Sequence, residues 1–364
     1  MSAASILSGP LAPGATIGIL GGGQLGRMLA LAAARLGFKT HIYSDETESC
    51  AFNVATARTR ARYDDHRALG EFAAVCDLVT FEFENVPDGT AQYLADHVPV
   101  APNSRALSIA QDRFVEKSFI AGLGIATASF RNVESETDAA EAFRALGGPA
   151  VLKTRTLGYD GKGQRIVGSA EEAARAYAEH QGVPAILEKF VDFAFEASIV
   201  ATRGRDGSFL AYDPPKNEHE NHILRRSTVP APLTSAAVDE AVAISRRIAE
   251  ALDYVGVLGV ELFIGKNGEI AVNEIAPRVH NSGHWTIEAC VVSQFEQHIR
   301  AVAGWPLGGS MRHSNAVMEN IIGAEVEDWV ALAGREAGLH IYGKRIVRPG
   351  RKMGHITKLS PLFP

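Results

Sequence analysis

One local pattern narrows the fold more than any other. The short apolar run Ala15-Thr16-Ile17-Gly18-Ile19-Leu20 passes through Gly21-Gly22-Gly23-Gln24-Leu25-Gly26 into a stretch with Leu25, Met28, Leu29, Leu31 and Ala32 at helical spacing. A strand that turns on glycines straight into a helix is the first half of a β–α–β unit, and the strand that follows must run parallel to the first. Gly37 predicts the end of the helix, alternation over 39–43 predicts the next strand, and 77–83 reads as another.

Pro99, Pro102, Asn103 and Ser104 mark a boundary, with Asn103 or Ser104 able to cap the helix that follows. Beyond it the alternation changes. Helices are expected over 106–123, 170–178, 235–252 and 286–303, and strands over 149–154, 163–167, 185–188, 196–201, 257–264 and 269–275. Residues 305–364 read as short strands and turns. The expected class is α/β, with a Rossmann-like parallel sheet domain over 1–105, a central α+β domain over 106–304 and a small β-rich domain over 305–364.

Composition excludes several kinds of function. Net charge is −6, so no global field draws nucleic acid or an anionic membrane, and an anionic ligand needs a local site. The three cysteines, Cys50, Cys76 and Cys290, are odd in number and widely spaced, which suits neither a disulfide framework nor a zinc site. No apolar run reaches the ~18 residues of a membrane helix. The first basic residue is Arg27, so the charged start of a signal peptide is missing. A cytoplasmic protein with no nucleic-acid or membrane partner is expected.

The first glycine turn satisfies G-x-G-x-x-G, and Asp45 follows at the distance of a ribose-binding acid. It reads as a dinucleotide site, as a simpler phosphate site at a helix N-terminus, or as a tight turn without ligand. The second glycine loop differs. Lys153 ends a strand, Gly158-Tyr159-Asp160-Gly161-Lys162-Gly163-Gln164 follows, and another strand comes next. A Walker loop would lead into a helix, so this is not one. Its glycines let backbone amides close over phosphates while Lys153 supplies a point charge, and a nucleoside triphosphate is favoured over a plain connector.

Register arithmetic predicts a third feature. If Asn267 and Gly268 form a two-residue hairpin loop, Lys266 pairs with Glu269, and Glu261 then stands directly opposite Glu274. Two like charges so placed repel, so a positive group is expected between them. Oxygen ligands from few residues suit Mg²⁺ better than zinc or calcium. The next segment, Ala276-Pro277-Arg278-Val279-His280-Asn281-Ser282-Gly283-His284-Trp285, is dense in donors for an oxyanion or a transferring phosphoryl group. Pro277 and Gly283 argue against the helix that a zinc pair at His280 and His284 would need. Glu188 and Glu196 suit an adenine hinge and a ribose acceptor. Glu82 and Glu84 sit where open α/β sheets bind ligands. The basic run Lys344, Arg345, Arg348, Arg351, Lys352, Lys358 suggests a phosphate group.

Taken together these motifs resemble the ATP-grasp ligases, and within them the N5-carboxyaminoimidazole ribonucleotide synthetase family of purine biosynthesis. The resemblance covers almost the whole chain. It is carried by Gly23-Gln24-Leu25-Gly26-Arg27-Met28-Leu29, the second glycine loop, Asn273 through Trp285, and Arg348-Pro349-Gly350-Arg351-Lys352-Met353-Gly354-His355. The family usually continues into a further helix where this chain stops at Pro364, so a shortened C-terminal domain is expected.

The resemblance implies ATP, bicarbonate and 5-aminoimidazole ribonucleotide as substrates, Mg²⁺ as cofactor, and a homodimer. It implies ATP contacts from Arg113, Lys153, Gly158, Tyr159, Asp160, Gly161, Lys162, Gly163, Gln164, Glu188, Lys189, Phe190, Val191, Glu196, His219, Asn273 and Glu274, with metal on Glu261 and Glu274. It further implies catalytic roles for Asp160, Arg278, His280 and Asn281, and contacts to the ribonucleotide from Gln24, Tyr159, Lys162, Lys344 and Arg351. Two other readings stand beside it. A dehydrogenase would explain the first glycine turn alone, and a nucleotide-binding regulator would share the fold without turnover.

Overall fold

The structure is a computed structural model and describes residues 7, 9–158 and 163–362. Four parallel strands, β1 (Thr16–Leu20), β2 (Lys39–Ser44), β3 (Ala57–Arg60) and β4 (Leu78–Phe81), form the first sheet in the order β3-β2-β1-β4. The chain leaves β1 toward β2 on one side and later returns to β4 on the other. This strand reversal opens a crevice at the C-terminal ends of β1 and β4, where ligands of such sheets bind. The helix Gln24–Arg35 buries Leu25, Met28, Leu29 and Ala33 against Ile17, Ile19 and Ile42.

The second sheet is antiparallel and small: β5 (Phe130–Val133), β6 (Ala150–Thr154), β7 (Gln164–Val167) and β8 (Ala185–Lys189), in the order β5-β8-β6-β7. Helices Glu136–Leu146 and Ala170–Glu179 share one apolar cluster with it. The third sheet contains β9 (Phe195–Arg203), β10 (Phe209–Ala211), β11 (Lys216–Glu220), β12 (Ile223–Val229), β13 (Gly256–Ile264), β14 (Ile270–Ala276), β15 (Asn315–Ile322), β16 (Gly338–Ile341) and β17 (Lys352–Ser360). Its order is β14-β13-β9-β11-β12-β15-β17-β16, with β10 on the flank of β9. The segment 305–364 therefore extends the same sheet. Two of its strands are longer than expected, with eight residues in β15 and nine in β17, while β16 is a short piece of four.

Two helices expected as single units are each broken by a polar cap. The stretch 106–123 is two helices, Ser104–Gln111 and Arg113–Gly122. Asp112 between them is extended (φ −121°, ψ 112°), and its carboxylate accepts the amides of Phe114 and Val115. The stretch 286–303 is likewise Thr286–Ala289 and Gln294–Val302, the second capped by Ser293 onto the amide of Glu296. Apolar periodicity ran on through both junctions, while a side-chain oxygen at each offered the backbone another partner.

The β13–β14 hairpin reaches its expected pairing by an unexpected route. The turn is three residues, not two: Gly265 N–H donates to the Glu269 carbonyl (2.8 Å), and Gly268 takes φ +90°. That shifts the pairs nearest the turn by one, so Leu262 faces Val272. A bulge then inserts Asn273 and restores Glu261 opposite Glu274. Among the described residues no helix is long and apolar enough to cross a membrane.

Candidate active site

One cavity of about 1670 Å³ joins the crevice of the first sheet to the faces of the other two. Gly21, Gly22, Gly23 and Gln24 line one end, Lys153, Glu188, Phe190 and Glu196 the other, and Glu261, Glu274, Arg278, His280 and Asn281 the middle. Arg113, Gly158, Gln164, Lys189, Val191, His219 and Asn273 also line it. Tyr159, Asp160, Gly161 and Lys162 lie outside the described residues. Gly163, Lys344 and Arg351 do not line the cavity. Gly163 sits at φ +72°, and its carbonyl accepts the Thr154 amide (2.9 Å), so its glycine serves the turn itself.

The facing carboxylates each have a cationic or ring partner of their own. Arg113 Nη1 donates to Glu274 Oε2 (2.8 Å), and His280 Nε2 lies 3.0 Å from Glu261 Oε1. Burial alone would raise the Glu274 carboxyl, but Arg113, with Lys153 and Lys117 behind it, outweighs burial and holds it down to about 2. The positive group expected between the two glutamates is therefore supplied in part by side chains. A further cation still fits, because Asn273 Oδ1 on the bulge is buried without a hydrogen-bond partner. Two carboxylates and an orphan amide oxygen form a hard, all-oxygen donor set.

Sequence reasoning missed what holds this strand from behind. On the helix Arg113–Gly122, residues 113, 116 and 117 lie on one face, three and four positions apart. They grip three consecutive residues of β14. Arg113 takes Glu274, Glu116 Oε1 accepts the Ile275 amide (2.7 Å), and Lys117 Nζ donates to the Asn273 carbonyl (2.7 Å). Glu116 and Lys117 are 2% and 1% exposed. The available signal was two charged residues, Glu116 and Lys117, inside an otherwise apolar helical pattern.

Lys117 also reaches Glu188, which is buried instead of lying at the surface. Lys153 Nζ donates to Glu188 Oε2 (3.0 Å) and Lys117 Nζ stands 3.4 Å from the same oxygen. Burial pushes this carboxyl up, yet the two ammonium groups outweigh it and keep it below the usual range. At the far wall His219 Nδ1 lies 2.6 Å from Glu196 Oε2. Burial pulls this imidazole down, but Glu196 more than offsets it and raises the ring's pKa.

Arg278 pairs with both oxygens of Glu84, which closes β4 onto the loop after β14. In that loop Gln294 clamps His280, accepting its amide (2.8 Å) and donating to its carbonyl (2.6 Å). A Cβ on Gly283 would meet Gln294 at 2.9 Å, so only glycine permits the clamp. Both polar side-chain atoms of Asn281 are buried, unpartnered and part of the cavity wall.

The first glycine turn is closed to a pyrophosphate. Glu82 places its carboxylate at the helix N-terminus, accepting the amides of Gly23 (2.7 Å) and Gly26 (3.0 Å). Those are the amides a dinucleotide would need, and the Glu82 carboxyl already occupies them. The turn instead faces the shared cavity. Lys344 donates to the Lys352 carbonyl (2.7 Å), and burial, then Arg351, draws its ammonium down to about 8. Arg351 is turned to the Ile346 carbonyl (2.8 Å).

Comparison with known proteins accounts for this arrangement. Residues 14–111 match the ribonucleotide synthetase preATP-grasp domain, 118–295 the ATP-grasp domain, and 316–361 the phosphoribosylaminoimidazole carboxylase C-terminal domain. The N5-carboxyaminoimidazole ribonucleotide synthase of Brucella melitensis is 51% identical over 354 residues, covering 96% of this chain and 98% of that protein. An ADP complex of an N5-carboxyaminoimidazole ribonucleotide synthetase superposes with a TM-score of 0.94 at 41% identity, covering 97% of this chain and 94% of that one. The Aspergillus clavatus enzyme, in complex with ADP and 5-aminoimidazole ribonucleotide, gives 0.89 at 31% identity over 96% of this chain and 94% of that one. With a relative this similar along its full length, and a cavity lined by the first glycine turn and by Gly158 and Gln164, the chain belongs to the N5-carboxyaminoimidazole ribonucleotide synthase family of ATP-grasp ligases.

Proposed function

We propose that this protein uses ATP to carboxylate 5-aminoimidazole ribonucleotide with bicarbonate, giving N5-carboxyaminoimidazole ribonucleotide, ADP and phosphate. The observation that supports the reading is one cavity lined by Lys153 and Glu188 at one end and by the first glycine turn at the other. ATP lies along Lys153, Glu188, Lys189, Phe190, Val191, Glu196 and His219, its phosphates under the loop 158–164 and beside Arg113. Mg²⁺ on Glu261 and Glu274, with Asn273 Oδ1 in reach, would offset phosphate charge. A bicarbonate oxygen attacks the γ-phosphorus, the bond to ADP breaks, and carboxyphosphate forms. Loss of phosphate releases CO₂ beside His280 and Asn281, and the amine takes it up. Asp160 accepts the proton that the amine sheds. Arg278 is already neutralised by Glu84, and its task is to hold the loop that bears His280 and Asn281, shielding them from water.

Gln24, Tyr159, Lys162, Lys344 and Arg351 hold the ribonucleotide in the same proposal, Lys344 and Arg351 by turning toward its phosphate. Boundaries near 105 and 304, a homodimer and a cytoplasmic setting complete it. The test is ADP release with aminoimidazole ribonucleotide plus bicarbonate, against glycinamide ribonucleotide plus formate. Turnover of the first pair alone supports the reading. Turnover of the formate pair alone overturns the substrate, and ADP release with neither pair would leave only a nucleotide-binding protein.

A further inference from the structure

Away from the cavity, three side chains with metal-ligand chemistry meet where the last two strands pack on the loop segment. Glu288 lies on the turn Thr286–Ala289, His340 on β16 and His355 on β17, and one ligand atom from each lies within 4.8 Å of the others. His340 and His355 are directly opposite in register, which brings two imidazoles within reach of a single ion. None of the three lines the nucleotide cavity.

Two of the ligand atoms have nothing else to do. His355 Nε2 and Glu288 Oε2 are both buried without a hydrogen-bond partner, and such groups cost roughly 1–3 kcal/mol each when left unsatisfied. The other ring nitrogen of His355 is 2.9 Å from the Tyr342 hydroxyl. With Nδ1–H donating to that oxygen, Nε2 presents a lone pair, as the outer partner of a metal-bound histidine arranges it. The Glu288 carboxylate is held too: a Cβ on Gly338 would meet its Cγ at 2.5 Å, so the strand leaves room for it only because residue 338 is glycine.

We propose that Glu288, His340 and His355 bind one divalent transition-metal cation of the Zn²⁺ class. Two imidazoles and a carboxylate are a common three-ligand set for that ion, with water in the fourth position. Without metal, His340 Nε2 is 2.6 Å from Glu288 Oε1, and its ring is stacked on His355 at 4.4 Å and 10°. Parallel rings direct their lone pairs side by side, so one ring must turn. His355 is anchored by Tyr342, whereas the His340 side chain is 31% exposed, so the turn is assigned to His340. Its turn exchanges the hydrogen bond to Glu288 for a shared ion and opens the route by which the ion enters. The bound cation would tie the β16–β17 pair to the segment that follows His280 and Asn281. His284 in that segment already packs its ring 4.8 Å from that of His355.

The test uses the full chain, stripped with a chelator and free of nucleotide, titrated with Co²⁺ as a visible probe and then with Zn²⁺. Expected are one equivalent of Co²⁺ with the absorption bands of a four-coordinate site, their loss as Zn²⁺ displaces it, and a higher melting temperature with Zn²⁺. Tyr342→Phe should weaken binding by about 10-fold. His340→Ala and Glu288→Gln should abolish the bands, and Glu274→Gln should keep them. No saturable band in the unaltered protein would overturn the site whatever the variants do. Bands that survive His340→Ala, or vanish in Glu274→Gln, would place the ion elsewhere and overturn it equally.

Discussion

Glu116 and Glu274 flank one helix–strand junction in opposite charge states. Burial, and then the charge on Glu274, lifts Glu116 to about 8, while Arg113 keeps Glu274 ionised. At neutral pH Glu116 is thus a protonated acceptor for the Ile275 amide. Glu116→Gln should leave stability within about 1 kcal/mol, whereas Glu116→Leu orphans that amide and should cost about 1–3 kcal/mol in urea unfolding. The pH dependence follows from the raised value. The folded state binds this proton more tightly than the unfolded chain, so its contribution is complete below the ordinary 4.5 and is lost as pH rises through about 8. Glu116→Gln should flatten stability across that window, and an unchanged profile would contradict the assignment. Glu274→Gln removes a charge that both Arg113 and the cation require. ADP release should fall by about 10²-fold or more, while nucleotide affinity measured without Mg²⁺ moves little. Normal Mg²⁺-dependent release would rule Glu274 out as a ligand.

At the scale of elements, Asp112 joins two functions in one residue. Its carboxylate caps the helix that carries Arg113, Glu116 and Lys117, and it also pairs with Arg155 just after β6 (2.6 Å). Asp112→Ala should cost about 1–2 kcal/mol for the cap alone, measured by thermal unfolding, and should raise the KM for ATP as that helix loosens. Full stability would show that the break needs no cap. This junction also marks what a sequence can disclose. Strand–turn–helix order and the strands on either side of the second glycine loop were legible because local periodicity and turn chemistry determine them. The helix break at Asp112 was not, since the apolar pattern passes through it and only the distant Arg155 makes the carboxylate's second bond. The hairpin teaches the same lesson: the loop is one residue longer than Asn-Gly suggested, and the bulge at Asn273 compensates. Glu82 as the ligand of its own glycine turn depends on a contact 56 to 59 residues away in sequence, which no local motif carries.

Across the whole molecule, the cavity exists only because the sheets are fastened together. The apolar cluster that contains Ile17, Leu29 and Ile42 also contains Val257, Phe295, Ile299 and Met318, so the parallel sheet and the large antiparallel sheet share one core. Arg278 with Glu84 repeats that connection at the cavity itself. Such a frame fixes the first glycine turn relative to Glu261 and Glu274 on the large sheet, and in the proposed reaction it would keep a labile intermediate from water until it is consumed. The central claim is that bicarbonate is activated by phosphorylation inside this cavity. The direct test is turnover with ¹⁸O-labelled bicarbonate, ATP and aminoimidazole ribonucleotide, followed by mass spectrometry of the released phosphate. The account predicts one ¹⁸O carried from bicarbonate into each phosphate formed with product. Phosphate that contains oxygen from ATP and water alone would contradict it.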